Sequence, residues 1–193
     1  MKKKISWNNI KPETQSVWGG EIEAFPHGAT QTPTVNSVAY GYDNLDEWMQ
    51  VAKGEKDGHI YGRNTNPTVD VLEEKIRILE GAEAATSFSS GMAAISNTLF
   101  ANLNSGDRVV AGKDTYGGTS KLFLEFLPQY DIEVVLCDTT DHDQIEEEVN
   151  KGCQLLYLET PTNPTLKIQD IKRLSSVGKK VGSLIVVDNT LAT

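Results

Sequence analysis

The sequence predicts an α/β fold, a mostly parallel sheet with helices on both faces, preceded by an irregular N-terminal arm. Two observations carry this expectation. From about residue 64 onward, short apolar runs rich in β-branched residues alternate with helical stretches, the pattern of a parallel sheet covered on both sides. Residues 1–60 lack that alternation and are rich in Gly, Pro, Thr and Asn. The arm is therefore set at 1–60, and the α/β domain at 61–193.

The elements follow in order. In the arm, only residues 44–53 read as a helix. A long irregular segment is unusual in a compact domain unless it packs on something else. Its aromatics, Trp18, Phe25, Tyr40 and Tyr42, favour ordered packing over a loose tail, because disordered segments lack such residues. A clasp on a second subunit is the expectation. "NPTVDVLEEKIRILEG" then opens with Pro67 in the first turn and closes with Gly81, and Leu72, Ile76 and Leu79 share one helical face. "AATSFSS" reads as a short strand and "GMAAISNTLFANL" as a helix. "DRVVAG", "IEVVLCD", "LLYLET" and "SLIVVDN" are four more strands. Helices are expected near 117–128, 141–151 and 168–180.

Composition narrows the function classes. A formal charge of −9 argues against a nucleic-acid surface, which needs a basic excess. The basic start "MKKKISWNNI" has no apolar stretch behind it, so it does not read as a secretion signal. No run approaches the roughly 20 apolar residues of a membrane span. Cys137 and Cys153 stand too far apart for a zinc motif or a disulfide framework, and His27, His59 and His142 are scattered. A soluble, reducing compartment, the cytoplasm, is the expectation.

In an open parallel sheet, ligands bind beyond the carboxyl ends of the strands, so the polar residues after each run matter most. "SSGM" leads into a helix, whose first N–H groups have no intrahelical partner and suit a phosphate. Gly91 would let the backbone come close, although a simple Ser90 N-cap is the plainer account of these residues alone. Tyr61 and Arg63 in "YGRNTNPT" offer phosphate donors, or are a packed ring and a surface cation. Tyr116 in "DTYGGT" is placed to stack on a flat ligand or exchange a proton, and packing on the next helix explains it as well. Asn163 sits in the proline-stiffened "ETPTNPT", which a structural turn also explains. Asp188 ends a strand, and nothing local in the sequence supplies its partner. A loop cap explains it, and so does a protonated ring nitrogen on a bound cofactor. Taken together, these signals describe a ligand with a phosphate at one end, a flat ring and a basic ring nitrogen. That ligand is pyridoxal 5′-phosphate.

"YGRNTNPT", "SSGMAAI", "DTYGGT", "ETPTNPT" and "VVDNT" stand in an order and spacing that resembles the Cys/Met-metabolism family of pyridoxal-phosphate enzymes. That family includes cystathionine γ-synthase, cystathionine γ-lyase, methionine γ-lyase and O-acetylhomoserine sulfhydrylase. The resemblance covers the chain from about residue 14. It implies a fold-type I large domain, here incomplete, and γ-elimination or γ-replacement on a sulfur amino acid or an O-activated homoserine. It also implies a cytoplasmic homo-oligomer of active-site-sharing subunits, a tetramer in the family's usual form. Under it, Ser90, Gly91 and Met92 hold the phosphate, with Tyr61 and Arg63 reaching the neighbouring subunit's phosphate. Tyr116 stacks on the ring near the leaving group, Asn163 lies near the ring oxygen, and Asp188 pairs with the ring nitrogen. Tyr116 and Asp188 are the implied catalytic residues.

Two departures qualify this. The family's cofactor-anchoring lysine follows the "DNT" strand in a Ser-x-Thr-Lys motif, whereas these 193 residues end five positions after Asp188. Lys179 and Lys180 precede that strand and do not match. The expectation is an N-terminal portion, inactive alone. The alternative is a non-catalytic fragment or a split-enzyme subunit whose lysine comes from another chain. Gly118 also stands where methionine γ-lyases typically carry Cys, which weighs against a dedicated methionine γ-lyase.

Overall fold

The computed structural model describes residues 6–21 and 28–192, so Phe25 and His27 lie outside the described residues. The chain forms two compact units, Met1–Ser87 and Phe88–Thr193. The composition change near residue 60 and this contact boundary mark different things. Residues 33–42 are irregular in sequence, yet they are tied by specific bonds to residues 59–68.

The first unit carries helices α1 (Pro12–Trp18), α2 (Leu45–Ala52) and α3 (Pro67–Glu80). Helix α3 starts where the sequence places it. The Asn66 side chain accepts from the Thr68 N–H at 2.9 Å, Pro67 fills the first turn, and Gly81 closes the helix at φ 63°. Asn66 Nδ2 also donates to the Val35 carbonyl at 2.9 Å, and Val35 N–H donates to Thr68 Oγ1 at 2.9 Å. Further along, the Tyr42 hydroxyl donates to the His59 carbonyl at 2.8 Å, and Tyr40 lies against the His59 ring. The apolar stripe predicted for α3 exists, but the unit does not bury it. Leu72, Ile76 and Leu79 are exposed, and Ile78 is the buried residue. Periodicity identifies a helix and its apolar face without identifying what covers that face.

The second unit begins with α4 (Gly91–Asn102) and β1 (Arg108–Gly112). Next come α5 (Gly117–Lys121), a π-helical turn (Leu122–Phe126) and a 3₁₀ turn (Leu127–Tyr130). Strand β2 (Glu133–Cys137), α6 (His142–Asn150), β3 (Leu155–Glu159), α7 (Ile171–Lys180) and β4 (Leu184–Asp188) complete it. All strand pairs are parallel, in the order β2-β1-β3-β4. Alternating strand residues feed two cores. Val109, Ala111, Leu155 and Tyr157 pack under Leu99, Phe123 and Leu127 from α4 and the turns after α5. Val110, Leu156 and Leu158 pack against Ile145 and Val149 of α6 and Leu174 of α7. Cys137 and Cys153 are buried free thiols of the second core.

Two predicted elements differ. Residues 84–90 form no strand, and the Ser87 N–H donates to a side chain, Glu73 Oε1, at 2.7 Å instead of to a strand ladder. The helix predicted over 117–128 loses its α-helical form after Lys121, and Pro128, which cannot donate, sits in the tighter last turn. "CDTTDHD" behaves as the helix cap it resembles, with Asp141 accepting from Gln144 N–H at 2.9 Å.

Candidate functional site at the carboxyl ends of the strands

Three loops leave the same end of the sheet, after β1, β3 and β4. The first, residues 113–116, is fixed from below. Asp114 N–H donates to buried Thr139 Oγ1 at 3.0 Å, and Lys167 Nζ reaches Asp114 Oδ2 at 2.9 Å. That lysine holds the Asp114 carboxyl below its usual range. The second loop, residues 160–167, folds back on itself, with Leu166 N–H donating to the Thr162 carbonyl at 2.8 Å. Gln169, 3% exposed, accepts from Glu159 N–H at 2.9 Å, and its own N–H donates to Thr160 Oγ1 at 3.0 Å.

The two loops meet on Glu159, the last residue of β3. Its carboxylate is 5% exposed and accepts from Tyr116 N–H at 3.0 Å through Oε2 and from Asn163 N–H at 2.8 Å through Oε1. Burial pushes its pKa up, the two N–H donors oppose that, and the nearby Asp188 charge adds to the rise. Sequence reading placed Glu159 at the end of a strand and gave it no role. Its only signal is a carboxylate directly after four residues that pattern as core.

Asp188 lies beside Glu159 in the β3–β4 register. The sequence suggested that nothing local would partner it, and the structure corrects that. The hydroxyl of Tyr157, 1% exposed, donates to Asp188 Oδ2 at 3.1 Å. Thr190 donates to Oδ1 through its N–H at 3.1 Å and its hydroxyl at 2.6 Å. These donors are neutral, so they orient the carboxylate and bring no positive charge to it. The loop cap read from sequence is therefore present, with Tyr157 as a second donor that the sequence reading missed. Burial and the Asp188 charge together push the Tyr157 phenol well above its usual range, which keeps it a donor.

At the start of α4, Ser90 Oγ accepts from Ala93 N–H at 3.1 Å, the N-cap expected for it. The N–H groups of Gly91 and Met92 belong to the first turn and have no intrahelical partner. A Cβ added at Gly91 would meet nothing within 4 Å, so the space beside its Cα is open. Gly118 joins α4 to the tyrosine loop: a Cβ there would lie 2.7 Å from Met92 Sδ and 2.8 Å from Tyr116 Cε1. Tyr116 is half exposed. Gly118→Ala is therefore expected to displace the Tyr116 ring while costing only about 1–3 kcal/mol, since both neighbours are side-chain atoms. A crystal structure of the variant checks this, and an unmoved ring would contradict it.

Of the sequence-predicted residues, the second unit thus gathers Ser90, Gly91, Met92, Tyr116, Asn163 and Asp188 at one end of its sheet. Tyr61 and Arg63 belong to the first unit, where the guanidinium carbon stands 4.8 Å from the Tyr61 ring centroid. Among the described residues, no group of His, Cys, Asp and Glu is arranged to hold a metal ion. No described helix is long and apolar enough to cross a membrane.

The model of the Cys/Met metabolism PLP-dependent enzyme family matches residues 13–193. The chain belongs to that family. Among this family's members, the L-methionine gamma-lyase of Porphyromonas gingivalis is 39% identical over 182 residues, 93% of this chain and 45% of that protein. The structure of metB from Corynebacterium glutamicum superposes with a TM-score of 0.88 at 32% identity, covering 98% of this chain and 47% of that one. A Campylobacter jejuni protein described as an O-acetylhomoserine (thiol)-lyase superposes with a TM-score of 0.88 at 31% identity, covering 96% of this chain and 45% of that one. Its structure carries N′-pyridoxyl-lysine-5′-monophosphate. The chain spans slightly less than half the length of these family members. With such relatives the fold-type I reading stands, and the family's cofactor is pyridoxal phosphate.

The donor set suits that cofactor. The first turn of α4 offers N–H groups without intrahelical partners to a phosphate, the half-exposed Tyr116 ring lies on the loop that meets Met92 at Gly118, and an oriented carboxylate ends β4.

Proposed function

We propose that the full-length protein containing this chain carries out pyridoxal-phosphate-dependent γ-elimination or γ-replacement on a sulfur amino acid or an O-activated homoserine. The observation that carries the reading is the Asp188 carboxylate, oriented by Tyr157 and Thr190 at the sheet end that also holds α4, Tyr116 and Asn163. When bound, the cofactor supplies an electron sink for charge developing at the substrate Cα.

The chain's own residues do the rest. The first-turn N–H groups of Gly91 and Met92, behind the Ser90 cap, hold the phosphate. Asp188 keeps a proton on the ring nitrogen, because its charge is not cancelled by the neutral donors around it. The Tyr116 phenol, half exposed, would cover the ring and could pass a proton to a departing group. The Asn163 amide would donate to the ring oxygen. Tyr61 and Arg63, stacked and solvent-facing, reach a phosphate on a neighbouring subunit, so the protein works as a homo-oligomer, a tetramer as in the family's usual form. The protein operates in the cytoplasm.

The test is reconstitution of the full-length protein with pyridoxal phosphate. Incubation with homocysteine, methionine or cystathionine should release ammonia and a 2-oxo acid, or an O-acylhomoserine with a thiol should yield the substituted amino acid. Saturable cofactor binding with at least one of these turnovers supports the proposal. Absence of cofactor binding overturns it.

A further inference from the structure

We propose that Glu159 is a positioning residue that sets Tyr116 and Asn163 as one unit, through a single buried carboxylate. This rests on the reading of those two residues as ring-facing groups. Tyr116 and Asn163 lie on different loops, 47 positions apart in sequence. Neither backbone N–H belongs to a strand ladder, and each ends on a different oxygen of the same side chain, at 3.0 and 2.8 Å. The carboxylate is held in turn. Its backbone N–H is fixed by Gln169 at 2.9 Å, and it lies level with Asp188 on the neighbouring strand. A buried carboxylate beside another carboxylate is electrostatically unfavourable unless its donors compensate. Here the compensating donors are the backbone groups that precede the two functional side chains.

Two acceptor oxygens are required by this geometry. Gln at 159 would keep the shape but offer one acceptor, so its amide N–H would face a backbone N–H. One loop would then be released. Asp would keep both acceptors but end one methylene short of them.

The experiment compares wild type, Glu159→Gln and Glu159→Asp in the full-length protein. Amide hydrogen exchange is read without cofactor, and visible circular dichroism with added pyridoxal phosphate. In Glu159→Gln, protection at Tyr116 or Asn163 N–H is expected to fall by about tenfold or more, the equivalent of one hydrogen bond to a charged acceptor. Protection within β1 and β3 should be unchanged. The cofactor's induced ellipticity should fall, and kcat should drop more than KM rises. Glu159→Asp should lie between, and it carries the test if the Gln variant does not fold. Unaltered protection at both amides in the folded variants overturns the proposal, and so does a loss spread evenly through β1 and β3. If wild type shows clamp-dependent protection but no cofactor ellipticity, the clamp stands and the cofactor reading fails.

Discussion

Asp188→Asn in the full-length protein is expected to weaken pyridoxal phosphate binding by about 10- to 100-fold, the equivalent of one charge-assisted hydrogen bond. Turnover should fall further, on the order of 10²- to 10³-fold, as for loss of an electrostatic stabiliser aimed at developing charge. Tyr157 and Thr190 hold both carboxylate oxygens, and Asn can still accept from one side, so the loop should keep its course. What disappears is the negative charge. Because Asp188 is only half-buried, the cofactor-free protein should melt within a few degrees of wild type. Absorbance titration and thermal melts of the same preparations check both statements. Cofactor affinity equal to that of wild type would contradict the assignment.

Phe123→Ala is expected to cost about 3–5 kcal/mol of stability. Phe123 is fully buried between β1, β3 and α4, and it meets Tyr157 edge-on with ring centroids 5.2 Å apart. Against a typical domain stability of about 5–15 kcal/mol, that loss should lower the melting temperature by on the order of 10 °C or more. It should also reach the site. With the space beside it empty, the Tyr157 ring can tilt, and its hydroxyl then leaves Asp188 Oδ2. Cofactor affinity measured below the lowered melting temperature should therefore fall too, while Phe123→Leu should preserve most of both properties. A melting temperature unchanged by Phe123→Ala would contradict the packing described.

The strands from 108 onward were legible because β-branched runs between capped helices leave few alternatives. Residues 84–90 show the limit of that signal. Their composition suits a strand, but a ladder needs a neighbour, and local sequence does not say where the neighbour is. The exposed stripe on α3 has the same cause. At the candidate site, the placement of Tyr116, Asn163 and Asp188 was legible because polar residues after strands lie at the carboxyl end of the sheet, and that of Ser90, Gly91 and Met92 because a Ser leading into a helix reads as its N-cap. Glu159 and Tyr157 were hidden for physical reasons. Tyr157 patterns as core, and only the register shows its hydroxyl reaching across to β4. The function of Glu159 exists only once two loops distant in sequence converge on it.

On the proposed reading, Asp188 keeps a proton on the pyridine nitrogen of pyridoxal phosphate. The most direct measurement is the ¹⁵N chemical shift of ring-labelled pyridoxal phosphate bound to the full-length protein, compared with the Asp188→Asn variant. A protonated nitrogen in wild type and an unprotonated one in the variant is the predicted result. The same protonation state in both proteins would contradict the claim.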